Sequence, residues 1–332
     1  MKTAIQQRLQ LFADNSMAMR KGFVWHSAMT GRLAALIYAQ KNLRIDVAVI
    51  NQSYNLIKNK TGVFSTFRGN MSICIAAFLS LSKNPEYLLD NTLNVYELMK
   101  EAKFVASSFL VVAAYQIASG ANPSEYKNII YRTKAIYDGL KKNHRFYTGY
   151  DDYVFTAMLG ISGLDVNVSV EKAEAFFQRL KFYFSNMNSV QALSQILVLS
   201  ESTESTVERI LELRDSFKYR RMRYDKAYTL PSLGVLALLP IENKTIIGDL
   251  EESYAYLRDQ KGLKSFSVSQ QEMLLHIMGI ITSEYLDSAR SGIASSALTT
   301  AITNILIAQQ AAMIAAVSAS GAAATAASTS SH

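Results

Sequence analysis

The sequence is poor in the residues that break or staple a chain. Four prolines and fifteen glycines among 332 residues are too few for a turn-rich β-sandwich or barrel, and favour helices. A single cysteine, Cys74, excludes an intrachain disulfide; lying in the apolar run 71–81, it suits a reducing, cytoplasmic compartment. Four histidines and one thiol, scattered along the chain, give no zinc spacing, and nothing calls for a cofactor. Only 18% of residues are charged against 49% hydrophobic, which excludes a disordered composition and leaves ample material for a core. Residues 1–15 include Gln6, Gln7, Arg8 and Asp14, so they lack the unbroken apolar centre of a signal peptide. The net charge of +7 is a mild attraction toward acidic protein, RNA or anionic lipid, too small to choose among them.

What the sequence does contain is a repeat. An aromatic, an apolar residue three positions on and then a base recur as Tyr54-Ile57-Lys58, Tyr96-Met99-Lys100, Tyr137-Leu140-Lys141 and Phe177-Leu180-Lys181. A degenerate copy has Arg214, Phe217 and Lys218, and the last reads Tyr254-Leu257-Arg258, so the period is roughly 40 residues. The spacing of three puts aromatic and apolar residue on one helical face. A second apolar segment follows each copy, at 72–81, 108–117, 153–161, 190–199, 230–239 and 273–281. Each unit therefore reads as helix, loop, helix, loop, and a weaker seventh unit precedes them, with helices at 3–19 and 23–40. Asn84-Pro85, Asn122-Pro123, Ser162-Gly163 and Pro240 mark helix boundaries, and Ser124 and Ser169 read as helix starts.

The fold class is thus all-α, with six to seven stacked helix hairpins over residues 1–290 and an uncharged Ala/Ser-rich tail over 291–332, helical and then mobile. One hairpin cannot bury its apolar face alone, so the units must stack. An open α-solenoid is the preferred form and a closed α/α-toroid the alternative, because the glycines and acid pairs typical of toroid enzymes are not evident.

The strings Thr61-Gly62-Val63-Phe64-Ser65-Thr66-Phe67-Arg68-Gly69 and His144-Arg145-Phe146-Tyr147-Thr148-Gly149-Tyr150-Asp151-Asp152-Tyr153-Val154-Phe155 resemble segments of an uncharacterised bacterial family, mainly from Firmicutes. That family is known only as a domain of unknown function, and the similarity covers most of residues 1–290. The resemblance implies no activity and no catalytic residues.

The repeat register does imply two unlike edges. Loops inside the hairpins should share one edge, and across 58–70, 100–108, 141–153, 181–190, 218–229 and 258–270 there are 17 Lys or Arg against 5 Asp or Glu. Across the opposite windows 82–94, 119–129, 162–175, 200–212 and 240–252 there are 14 acids against 5 bases. Helix dipoles account for part of this, favouring bases at helix ends and acids at starts by about 0.3–1 kcal/mol each. They account poorly for Arg220, Arg221, Arg223 and Lys226, which crowd together and repel one another. Those four, with Lys60, Arg68, His144 and Arg145, are the candidate anion- or partner-binding residues. Tyr219, Tyr224 and Tyr228 among the bases would also suit unpaired nucleic acid. Asp151 and Asp152 form a candidate polar site, or cap the following helix. His26 and His276 read as buried or half-buried core residues. No catalytic signature survives, and the chain leans away from being an enzyme.

The leading expectation is a helical-repeat interaction protein, a scaffold that binds an acidic protein, or less specifically nucleic acid, along its basic edge. One alternative is an enzyme of unassigned reaction, with a site formed by the 60–69 and 144–152 loops. Another is a peripheral membrane protein held by its tail, since 297–317 is apolar and rich in helix-forming alanine. The same segment also suits self-association through close helix packing.

Overall fold

A computed structural model of the chain describes residues 1–69, 71–222, 229–264, 268–290 and 305. The described residues form fourteen helices and no strand: α1 (Thr3–Gly22), α2 (Ala28–Gln40), α3 (Val47–Lys60), α4 (Ser72–Ser80), α5 (Pro85–Glu101), α6 (Ser108–Gly120), α7 (Tyr126–Asn143), α8 (Asp152–Ser162), α9 (Val166–Leu180), α10 (Met187–Leu199), α11 (Glu204–Tyr219), α12 (Leu230–Ala237), α13 (Asn243–Asp259) and α14 (Gln270–Arg290). Each odd-numbered helix pairs with the even-numbered one after it, giving seven hairpins.

The two helices of a pair differ as their sequences dictate. The first is amphipathic: in α9, Ala173, Phe177 and Leu180 are buried while the other flank carries Glu171, Lys172, Gln178 and Arg179. The second is apolar on every side, and in α4 all residues from Ser72 to Leu79 are buried. An all-apolar helix must be covered all round. Accordingly the even-numbered helices form an inner layer, where α2 packs on α4, α6 on α8, α8 on α10, α10 on α12 and α12 on α14. Stacked Phe78 and Tyr115, 4.9 Å apart, join α4 to α6. The odd-numbered helices form the outer layer.

Helix starts follow local capping chemistry. Asp46, Asn84, Ser107, Asp165 and Asn186 each accept a backbone N–H from the first turn of α3, α5, α6, α9 and α10. Pro85 occupies the first position of α5, where no backbone donor is needed. The start read at Ser169 belongs instead to Asp165. Ser169 lies one turn inside α9 and its hydroxyl bonds back to the Asp165 carbonyl at 2.7 Å. Gly160 lets α8 meet α7 backbone to side chain: a Cβ there would sit 2.3 Å from Thr133 Oγ1 and 3.0 Å from the Ile129 carbonyl.

The row of hairpins comes back on itself, so of the two forms considered from sequence, these contacts match the closed one. α14 packs on both α1 and α2, and α13 packs on α1. The seam is polar. Arg8, almost wholly buried, donates to the Gln40 carbonyl at 2.6 Å and pairs with Asp287 at 2.5 Å and Glu284 at 2.9 Å. Arg32 pairs with Glu272 at 2.6 Å, and His276, which stacks against Phe12, lies 3.4 Å from the same carboxyl oxygen. The N-terminal amine pairs with Asp249 and Glu252, and Tyr256 donates to Gln10 at 2.6 Å. His276 is fully buried and His26 half-buried, as the sequence suggests. Of the tail, only Ile305 is described; it is helical and buried in the core.

Candidate functional site

The hairpin geometry sorts the loops onto two rims. Contacts from one intra-hairpin loop to the start of a neighbouring hairpin's second helix put these loops on one rim: the Val105 N–H donates to the Tyr153 hydroxyl at 3.2 Å, and Gln191 donates to Thr148 Oγ1 at 2.9 Å. On the opposite rim, Tyr38 and Ser80 hydroxyls meet at 2.7 Å, and Arg209 donates to the Leu239 carbonyl at 2.5 Å. Trp25, Phe64, Phe146 and Phe182 stand on four different intra-hairpin connections and Tyr219 ends α11 at a fifth, and each is at least 80% exposed. A soluble surface seldom gathers that much aromatic area on one side without a use for it.

The basic character of this rim is largely committed to the fold. In four copies of the repeat the base lies over the aromatic of its own copy: Lys58 over Tyr54 at 4.7 Å, Lys100 over Tyr96 at 5.6 Å, Lys141 over Tyr137 at 5.4 Å and Arg258 over Tyr254 at 5.0 Å. The recurring triplet is therefore a packing unit, whose middle residue is a core side chain each time. Lys60 pairs with Glu86 at 2.8 Å and Asp90 at 2.6 Å. Arg68 folds back on its own loop, donating to the carbonyls of Lys58 and Thr61 and to Thr61 Oγ1 at 3.2 Å. Arg220 pairs with Glu251 at 2.8 Å. The His144 ring lies tilted against Phe177 with centroids 3.9 Å apart, and its Nε2 lies 2.5 Å from Glu174. Arg145 is exposed, as is Arg221, which holds a left-handed φ of 55° just after α11. Arg223, Tyr224, Lys226 and Tyr228 lie outside the described residues.

Arg68, His144 and Asp152 are each engaged with different partners, so their side chains do not gather into one site. Asp152 is the unusual one. It opens α8 but is buried, accepting the Gly149 N–H at 2.9 Å and the Gln195 side-chain N–H at 2.6 Å. Burial, and then the neighbouring Asp151 carboxyl, push it up to about 8, against the weaker pull of those donors. Asp151 is also raised, by burial. The carbonyl oxygens of Gln191 and Gln195 are buried without a partner. A neutral Asp152 has an O–H to donate, and turning the Gln195 amide over would present its oxygen to that proton. The two glutamines are one turn apart on α10 and about forty residues from Asp152 in sequence, so no local pattern announces them.

One basin opens on the rim, about 1090 Å³ in volume, where α9, α11 and α14 present their rim ends. Phe182, Tyr183, Phe217 and Met222 supply its apolar surface, Arg214, Lys218 and Arg221 its charge, and Ser269–Gln271 its far side. No Asp or Glu is among its described lining residues. Arg214 is held in place, lying over the Tyr183 ring at 5.0 Å and pairing with Asp215 at 2.7 Å. Sequence reasoning placed the charge here but missed Arg214 and Phe182, because their neighbourhood depends on three hairpins meeting. The tail segment 297–317, apart from Ile305, lies outside the described residues, and no described helix is long and apolar enough to cross a membrane.

A family described as a protein of unknown function (DUF4003) matches residues 16–311, a span that contains both strings that carry the resemblance and runs past residue 290. The chain is 26% identical over 264 residues to the uncharacterized protein YeaA of Bacillus subtilis (strain 168), covering 77% of each chain. No solved structure matches it.

Proposed function

The chain belongs to this family of proteins of unknown function (DUF4003), and from its geometry we propose that it is a binding protein that docks an acidic protein partner on the intra-hairpin rim. One observation carries the reading: the basin with an aromatic floor, three bases and no carboxylate among its described lining residues. Bases set among apolar side chains are worth more than bases on an open surface, since the partner's carboxylates leave water on docking. The exposed aromatics around the rim supply the contact area that anchors an interface. We place this binding in the cytoplasm, on the strength of the single buried cysteine.

The test is fluorescence anisotropy with a labelled acidic peptide rich in glutamate and aromatics, beside a labelled single-stranded oligonucleotide. Peptide binding that weakens with salt and drops about tenfold or more in Lys218→Ala/Arg221→Ala supports the proposal. Peptide binding that ignores the double variant sinks it, and preference for the oligonucleotide moves the protein to the nucleic-acid class.

A second reading, an enzyme of unassigned reaction, draws on Asp152. A carboxyl still protonated near neutrality is the form a general acid takes. Its neighbours are the amides of α10 and the Gly149 backbone, so this reading ranks behind the first.

A further inference from the structure

A second cavity, about 430 Å³ in volume, lies on the same rim at the seam where the first and last hairpins meet. Its walls come from the end of α1, the start of α2 and the connection between α13 and α14. Three cations line it from those three places, Arg20, Arg32 and Lys261, and no Asp or Glu is among its described lining residues. Arg32 is paired with Glu272, outside that lining, and an anion in the cavity relieves the repulsion that Arg20 and Lys261 bring to it.

Arg32 is the built part of the site. Its Nε is tied to Glu272 at 2.6 Å, and Glu272 is backed by fully buried His276. Burial alone would raise the Glu272 carboxyl, but His276 and Arg32 outweigh it and hold it at about 2. Glu272 therefore stays charged and fixes the guanidinium of Arg32, a residue of the cavity wall. The first turn of α2 begins at this wall. Its preceding residue, Ser27, makes no side-chain cap, so the helix presents donors and the positive end of its dipole there. Met17, Phe23, Val24, Ile73 and Leu263 make the rest of the wall apolar. A volume of this size suits a small metabolite rather than a macromolecule.

We infer that the seam cavity binds a small organic dianion of the phosphate-monoester class, with the phosphate between Arg20, Arg32 and Lys261 and the organic part on the apolar wall. This site is separate from the basin and stands whether or not the basin binds a partner.

Isothermal titration of the full chain with phenyl phosphate tests it, with benzyl alcohol as uncharged probe and citrate as carboxylate probe. Arg20 and Lys261 are exposed, so Arg20→Gln/Lys261→Gln should keep the fold, checked by thermal unfolding. The expected result is saturable one-to-one binding of phenyl phosphate and none of benzyl alcohol. The double variant should weaken binding about tenfold or more, while Lys127→Gln, an exposed base on α7, should leave it unchanged. Absence of binding, equal weakening by Lys127→Gln, or indifference to the double variant would overturn the site. Tighter binding of citrate than of phenyl phosphate would overturn the phosphate class.

Discussion

Where α8 packs on α6 both helices carry buried apolar side chains, Val111, Val112, Val154 and Ala157 among them, and Tyr153 lies edge-on to Phe104 at 4.9 Å; where α14 meets α1 and α2 the ion pairs Arg8–Glu284 and Arg32–Glu272 cross the junction. The first junction joins hairpins that the chain already keeps close. Loop closure over a few residues costs little, so apolar packing is enough. The second joins segments 240 or more residues apart. Ion pairs contribute less net stability than apolar packing of equal volume, but they have a geometry, and a mismatched register leaves charges buried alone. The comparison suggests that the seam uses charge to choose its partner, and the other junctions use connectivity.

That contrast can be broken most sharply at Arg8. Arg8→Ala should leave Glu284 buried without its partner and lower stability by about 3–5 kcal/mol in urea unfolding. Arg8→Met combined with Glu284→Gln should recover much of the loss if the penalty is the stranded charge. No recovery would mean that the seam depends on the pairs for stability and not for register.

Titration sharpens it next. The folded Asp152 value of about 8 lies above the usual carboxylate range, so its contribution is fullest below about pH 4 and is lost as pH rises through 8, by at most about 1.4 kcal/mol per pH unit. Glu272 at the seam, held at about 2, behaves oppositely, and its contribution fades as pH falls from about 4 toward 2. Thermal unfolding should therefore show Asp152→Asn flattening the fall in stability between about pH 4 and 8 and leaving the limb below about pH 4 alone. A parallel displacement of both limbs would contradict this assignment.

Gly160→Ala, within a continuous part of the ring, should cost about 1–3 kcal/mol, because the added methyl meets the Ile129 carbonyl and Thr133 with no room to give. A neutral result in denaturant melts would show that α7 and α8 can separate cheaply. Smallest of all, Lys60→Ala should leave the urea melt almost unmoved, since its pairs with Glu86 and Asp90 are on the surface.

How much of this was legible in the sequence follows the same division. The hairpins could be read because each rests on signals within one period: an amphipathic stretch, an apolar stretch, a cap and a short loop. Even there, Ser169 was mistaken for the cap that Asp165 provides, both being good caps one turn apart. The seam could not be read, because Arg8 and Arg32 carry no mark of Glu284 and Glu272 far along the chain. Asp152 was visible as half of an acid pair, but its burial depends on Gln191 and Gln195 of another hairpin. The basic edge was read as available charge, whereas most of its bases lie over rings or pair with acids, a fact of side-chain direction that a count of charges does not hold.

Closure of the first hairpin on the last also changes how the molecule comes apart. In an open array the end units have one neighbour each and fray first, and stability grades inward from the ends. Here every hairpin has two neighbours, so opening any one of them first means breaking two interfaces at once. Local opening is then as costly at the chain's beginning as in its middle, and amides in α2 should exchange with solvent as slowly as those in α8.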